Sequence, residues 1–278
     1  MRHGNRVLLA ICALLLVLLP LAACGSTSSS AASAVTLNVF AAASLDNAFT
    51  DIGKQFSRTH PGVSFAFNFA GSQQLAQQII QGAGADVFAS ADARQMQTVV
   101  AAGLVASGST QVFVHNRLVV IVPVGNPAHL TTLADLARPG IRLVLAAHAV
   151  PVGNYSLQFL HSAATSAALG SGYAAAVIQN VVSYEEDVSA VLSKVELGEA
   201  DAGIVYTSDV TPAASKMVTE IAIPDALNVI ASYPIAVVKD SPHAALASEF
   251  VAYVLSAQGQ QTLRTWGFVP ATGGSASG

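Results

Sequence analysis

Cysteine is nearly absent from this chain: there are two in 278 residues, Cys12 and Cys24. Cys12 lies inside an apolar N-terminal run, so no pair is left for a structural disulfide and no thiolate cluster for a metal. Charge is also scarce. Charged residues make up 10% of the chain, with 12 basic against 16 acidic side chains, which excludes a strongly basic nucleic-acid binder. Aromatics at 6% leave few platforms for stacking bases, while 53% hydrophobic residues exclude a disordered chain. Catalytic signatures are missing too. The histidines (His3, His60, His115, His129, His148, His161 and His243) form no H-x-x-x-H pair, and there is neither a G-x-S-x-G elbow nor a phosphate-cradling G-x-x-x-x-G-K loop. Gly82-Ala83-Gly84 begins a dinucleotide-like pattern that ends at Val87.

What is present begins with an export signal. Arg2 and Arg6 precede an apolar stretch from Val7 to Leu19, and Leu21-Ala22-Ala23-Cys24 supplies small residues ahead of a cysteine. Pro20 and the polar Gly25–Ala34 close the run before it reaches the ~20 apolar residues of a membrane span. The tetrad resembles a bacterial lipobox, which implies a signal peptide over residues 1–23 and a lipid on Cys24. Cleavage would remove two basic residues and no acid, leaving 10 basic against 16 acidic, a net charge of −6. Residues 24–34 then form a flexible tether with a reach of about 17 Å, holding the protein outside the cytoplasm against the membrane surface. Residues 271–278 are a second low-complexity tail.

Between these ends the hydrophobic period switches repeatedly. Val35–Phe40 is a strand, and Leu45, Ala48, Phe49, Ile52 and Phe56 follow at helical spacing; Val63–Phe69 alternates, then Leu75, Ile79 and Ile80 return to helix. Strands are also expected at Asp86–Ser90, Leu118–Pro123, Arg142–Ala146, Ala202–Tyr206 and Ser232–Lys239. Helices are expected at Ala93–Ala102, Tyr155–Ala168, Asp187–Leu197, Pro242–Ser256 and Gln258–Trp266. This alternation predicts an α/β fold of two lobes, each a mainly parallel sheet flanked by helices. Residues 35–115 and 235–270 make a discontinuous lobe I, and residues 116–234 make lobe II.

Ligands of open α/β sheets gather where strand ends feed helix starts, because those starts expose unpaired N–H groups and partial positive charge. Four such starts stand out. Ser44 and Ser72 each open a helix, where serine either caps its own helix or faces a ligand. Val150-Pro151-Val152-Gly153 places proline in a first turn, an ordinary helix start or an anion site. Glu185-Glu186-Asp187-Val188 is a fourth start, its acids a solvated first turn or a metal site, with Ser183 and Glu186 at capping-box spacing. Tyr206, at the end of its strand, either reaches a cleft or covers the core edge.

At these positions the sequence resembles the periplasmic molybdate-binding proteins of ATP-driven importers. The matching segments are Val39–Leu45, Phe69–Ser72, Ala85–Asp92, Val150–Gly153, Glu186–Val188, Gly203–Asp209 and Tyr233–Val238. The resemblance implies a periplasmic-binding-protein fold of the second type, closing on one tetrahedral oxyanion, molybdate or tungstate, with no resident cofactor. Ser44 and Ser72 would each give a hydroxyl and an N–H, Val152 and Val188 their N–H groups, and Tyr206 its phenol, all to the anion's oxygens and none to the metal atom. It also implies a permease and an ATPase as partners of a monomeric carrier. This chain departs from the pattern in having Gly71-Ser72-Gln73 where the family often has a serine run, and Val152 in place of alanine. Ala146–Ala149 also lacks the usual acidic and proline residues.

Molybdate carries no proton at neutral pH, so its ideal host offers donors only. Hydrogen phosphate would leave its proton unpaired there, at about 1–3 kcal/mol. Sulfate is excluded by size alone, and tungstate is not distinguished. Three rival readings remain: a carrier of sulfate or a small organic anion, an extracytoplasmic enzyme in which His148 beside the cleft acts as a base, and a lipid-tethered adhesion domain.

Overall fold

The computed structural model describes residues 34–271; the expected signal peptide, lipidated Cys24, tether up to Ser33 and tail beyond Ala271 lie outside the described residues. Strand β1 (Val35–Ala42) buries Leu37, Val39 and Ala41 by alternation. A one-turn 3-10 helix, Ala43–Leu45, leads into α1 (Asp46–Thr59), whose Phe49, Ile52 and Phe56 form the buried stripe. Then follow β2 (Val63–Ala70), α2 (Ser72–Ile80), β3 (Val87–Ala89) and α3 (Ala93–Ala101). Both β2 and β3 pair with β1 in parallel, as crossover helices require.

Strand β4 (Gln111–Pro123) is longer than its sequence pattern suggests, because the polar His115-Asn116-Arg117 interrupts the apolar alternation. It is followed by β5 (Leu143–Ala146), α4 (Pro151–Thr165), α5 (Tyr173–Gln179), β6 (Val181–Glu185), α6 (Val188–Glu196), β7 (Ala202–Tyr206) and β8 (Val218–Ala222). The chain finishes with β9 (Ile230–Val237), α7 (Ala244–Leu255), α8 (Ala257–Thr265) and β10 (Val269–Pro270). The sequence pattern did not single out α5, β6 or β8. In β6, Val182 and Tyr184 face solvent on a sheet edge, so the buried-face alternation is weak.

The strand order is β2-β1-β3-β9-β4-β7-β5-β6, with β8 and β10 also on β4. Parallel pairing holds in the two flanks, β2-β1-β3 and β6-β5-β7, and the central strands β9 and β4 pair antiparallel. The first part of β4, Gln111–Arg117, pairs with β9, and the part from Leu118 onward pairs with β7 and β8. One strand thus runs through both sheet regions, and the carboxyl ends of β1, β2, β5 and β7 converge on a common seam.

Among the described residues no helix is long and apolar enough to cross a membrane.

Candidate functional site

A small pocket lies at this seam, with about 10 Å³ open to the centre of a water-sized sphere. That is about what one water-sized guest needs. Its walls come from the turn after β1 (Ala42, Ala43, Ser44), the β2–α2 junction (Ala70, Gly71, Ser72), Ala91, the start of α4 (Val150, Pro151, Val152), the start of α6 (Asp187, Val188) and Tyr206. All five residues singled out in the sequence, Ser44, Ser72, Val152, Val188 and Tyr206, therefore meet in one place. His148 does not line it; its carbonyl oxygen accepts from Arg94 Nη2.

The two serines do not cap their helices, contrary to the simpler expectation. Gly71 is the N-cap of α2, and Ser72 is its first helical residue. Ser72 Oγ instead accepts the Ala91 N–H at 3.0 Å. Ser44 lies within the 3-10 turn, with its Oγ 2.9 Å from Tyr233 Oη. Among the described residues neither hydroxyl hydrogen finds an acceptor within its own helix. The Ser183–Glu186 capping box is also absent: Ser183 belongs to β6 and donates to Glu185, while Asp187 caps α6 by accepting the Ala190 N–H at 2.9 Å.

Helix α4 starts at Pro151, four residues earlier than its apolar spacing indicates, because proline fits the first turn, where no N–H is needed. The next N–H groups, beginning with Val152, have no intrahelical acceptor and point along the helix start. Gly153 makes this placement possible, since a Cβ there would stand 2.2 Å from the Ala147 carbonyl oxygen. The Val188 N–H is that of the first helical residue of α6, directly after the N-cap Asp187.

Tyr206 is the decisive member. Its Oη is buried and has no hydrogen-bond partner, an arrangement that costs about 1–3 kcal/mol unless something fills it. Burial, with Tyr233, Tyr155 and Asp209 nearby, pushes its ionisation well above the ordinary phenol range, so it remains a donor at neutral pH. Tyr233 is shifted the same way by burial and by Asp209. Asp209 itself, buried and accepting the Tyr206 N–H at 2.8 Å, is pushed up to about 7, by burial first and by Asp187 second. Among the described residues no lysine, arginine or histidine lines the pocket, and Asp187 is its one charged wall residue. Among the described residues, no group of three or more His, Cys, Asp or Glu side chains could hold a metal ion.

Four further side chains form hydrogen bonds between segments far apart in the chain. Gln73 Nε2 donates to the Glu186 carbonyl oxygen and Gln74 Nε2 to its carboxylate, both at 2.9 Å. Arg94 Nη2 and Gln95 Nε2 donate to the Ala149 carbonyl oxygen at 3.1 and 3.2 Å.

Fold and pocket together define a two-lobed α/β binding protein with a donor-lined cleft. Residues 37–269 match the profile of the bacterial extracellular solute-binding proteins, and the chain belongs to that family. The molybdate-binding protein ModA of Mycobacterium tuberculosis (strain ATCC 25618 / H37Rv) is 43% identical over 254 residues, covering 89% of this chain and 92% of that protein. The solved periplasmic molybdate-binding protein of Azotobacter vinelandii superposes with a TM-score of 0.72 at 21% identity, covering 85% of this chain and all of that one. The sulfate-binding protein SubI of M. tuberculosis H37Rv superposes with a TM-score of 0.76 at 19% identity, over 86% and 88% of the two chains. At such identities the two structures speak for the fold, and the ligand must be argued from the pocket.

Proposed function

We propose that this protein captures molybdate, and tungstate with it, outside the cytoplasm and hands it to the permease and ATPase of an importer. The hydroxyls of Ser44, Ser72 and Tyr206 and the N–H groups of Val152 and Val188 donate to the anion's oxygens. Five charge-assisted bonds at about 1.5–3 kcal/mol each give a gross gain of roughly 7–15 kcal/mol before ordering costs. The carrying observation is the buried, unpartnered Tyr206 Oη in a pocket with no cationic side chain. A dianion is matched there by neutral dipoles, which suits a mature chain of net negative charge. The 43% identity to a protein named for molybdate binding supports the same ligand.

In this reading residues 35–115 and 235–270 form one lobe and residues 116–234 the other, and the contacts of Gln73, Gln74, Arg94 and Gln95 hold them shut. The signal peptide is removed before Cys24, the lipid on that residue anchors the carrier, and it works as a monomer. A thermal-shift panel tests the ligand, since stabilisation follows ligand concentration relative to Kd. Molybdate and tungstate should raise Tm strongly, with sulfate and phosphate at equal concentration having little effect. A response to sulfate alone would reassign the ligand, and no response to any oxyanion would reject the reading.

A further inference from the structure

We propose that Tyr233, backed by Asn116, is a positioning and specificity-determining residue that fixes Ser44 as a donor toward the bound anion. This rests on the oxyanion reading above and adds the means by which the pocket would reject a protonated anion.

The argument follows the hydrogens. Asn116 is fully buried, and the orientation of its amide is set by two donors on Oδ1: the Arg117 N–H at 2.9 Å and Thr207 Oγ1 at 3.1 Å. Its Nδ2 must therefore face the other way, where it donates to Ser208 Oγ at 2.7 Å and, at the long end of the range, to Tyr233 Oη at 3.4 Å. An amide nitrogen accepts nothing. Of the two side chains hydrogen-bonded to Tyr233 Oη among the described residues, Ser44, with its Oγ at 2.9 Å, is consequently the one that can accept the Tyr233 proton. With that lone pair filled, the Ser44 hydroxyl hydrogen is free to turn into the pocket. Turning the bond around would strand the phenolic hydrogen of a fully buried tyrosine.

Ser72 is held in the same polarity by a different group, because its Oγ accepts the Ala91 backbone N–H. Backbone polarity cannot be reversed by mutation. At Ser44 the polarity is set by side chains, so this hydroxyl can be inverted experimentally.

Asn116→Asp should invert it. The carboxylate replaces the Nδ2 donor with an acceptor, and four donors (the Arg117 N–H, Thr207, Ser208 and Tyr233 hydroxyls) favour its ionised form. Tyr233 would then donate to Asp, accept from Ser44, and leave a Ser44 lone pair facing the ligand. Affinities for molybdate, sulfate and phosphate would be measured by calorimetry at pH 8, where phosphate is the dianion with one proton. Sulfate controls for the added negative charge, since it has the same charge as hydrogen phosphate but no proton.

The expected result is a phosphate-to-sulfate affinity ratio raised at least about tenfold in Asn116→Asp, and no such rise when Tyr233→Phe is added. An unchanged ratio, or a rise that persists without the phenol, overturns the relay. Neutron diffraction from deuterium-exchanged wild-type crystals gives a second readout independent of any variant's folding. The Tyr233 deuteron should lie on the line to Ser44 Oγ, and a deuteron donated from Ser44 to Tyr233 would overturn the proposal. Failure of the wild type to bind molybdate, by contrast, counts against the function and not against the relay.

Discussion

A Cβ on Gly71 would stand 2.5 Å from the carbonyl oxygen of Glu186, a residue on the opposite wall of the cleft. Gly71 has ordinary backbone angles, φ −58° and ψ 134°, so its missing side chain serves the approach of the two walls and not a special conformation. Gly71→Ala should therefore keep the ligand-free chain within about 1 kcal/mol of wild-type stability, the usual scale for an N-cap change. Molybdate affinity should fall at least about tenfold, because the walls can no longer meet. Calorimetry together with urea unfolding checks this; unchanged affinity would mean that the pocket works without this contact.

Tyr206→Phe should separate stability from binding. The wild-type hydroxyl is buried without a partner, so its removal relieves an unmet donor and the ligand-free protein should be at least as stable as before. Affinity for molybdate should drop by about tenfold or more as one donor is lost. A destabilised variant with intact affinity would place the Tyr206 hydroxyl in the fold's own hydrogen bonding.

Ser44→Ala combined with Ser72→Ala should weaken molybdate binding at least tenfold and still leave a folded protein. Each change also removes an acceptor: Ser72→Ala strands the buried Ala91 N–H and Ser44→Ala the phenolic hydrogen of Tyr233, at about 1–3 kcal/mol apiece, so each should lower Tm on its own. Single-variant melting curves and titrations check both parts, and unchanged affinity in the double variant would reject the site.

The five candidate positions were legible because helix starts leave local marks: a serine after small residues, a proline in a first turn, an acid just before a valine. What those residues bond to was not. Ser44 and Tyr233 are 189 positions apart, and Ser72 meets the N–H of Ala91 across a strand and a helix. Local rules favoured capping for both serines, yet Gly71 caps α2, Ser72 Oγ accepts the Ala91 N–H and Ser44 Oγ pairs with Tyr233 Oη. The crossing strand β4 was half hidden for a related reason, as His115, Asn116 and Arg117 break the apolar pattern where the strand passes between the two sheet regions. Polar residues inside a strand mark a site only once their partners are known.

Val152→Ala should keep affinity, since the proposed contact uses the backbone N–H. The isopropyl group is 1% exposed and packed in the main core, so truncation should cost about 1–3 kcal/mol of stability. A large loss of affinity at full occupancy of the folded state would show that the side chain shapes the pocket.

Asp209 predicts a pH dependence of stability. In the folded protein it keeps its proton to about pH 7, against 3.8 for the free side chain, and burial is the main cause. Between those values the folded chain binds more protons than the unfolded one, so this group's contribution to stability falls as pH rises from about 4 to 7. The full effect is on the order of 4 kcal/mol at most. Asp209→Asn keeps an acceptor for the Tyr206 N–H and removes the titration. Urea midpoints at pH 5 and pH 8 should show the variant gaining on the wild type at the higher pH. Parallel curves for the two proteins would mean that Asp209 ionises in its ordinary range, and that the carboxylate bonded to the Tyr206 N–H is charged at neutral pH.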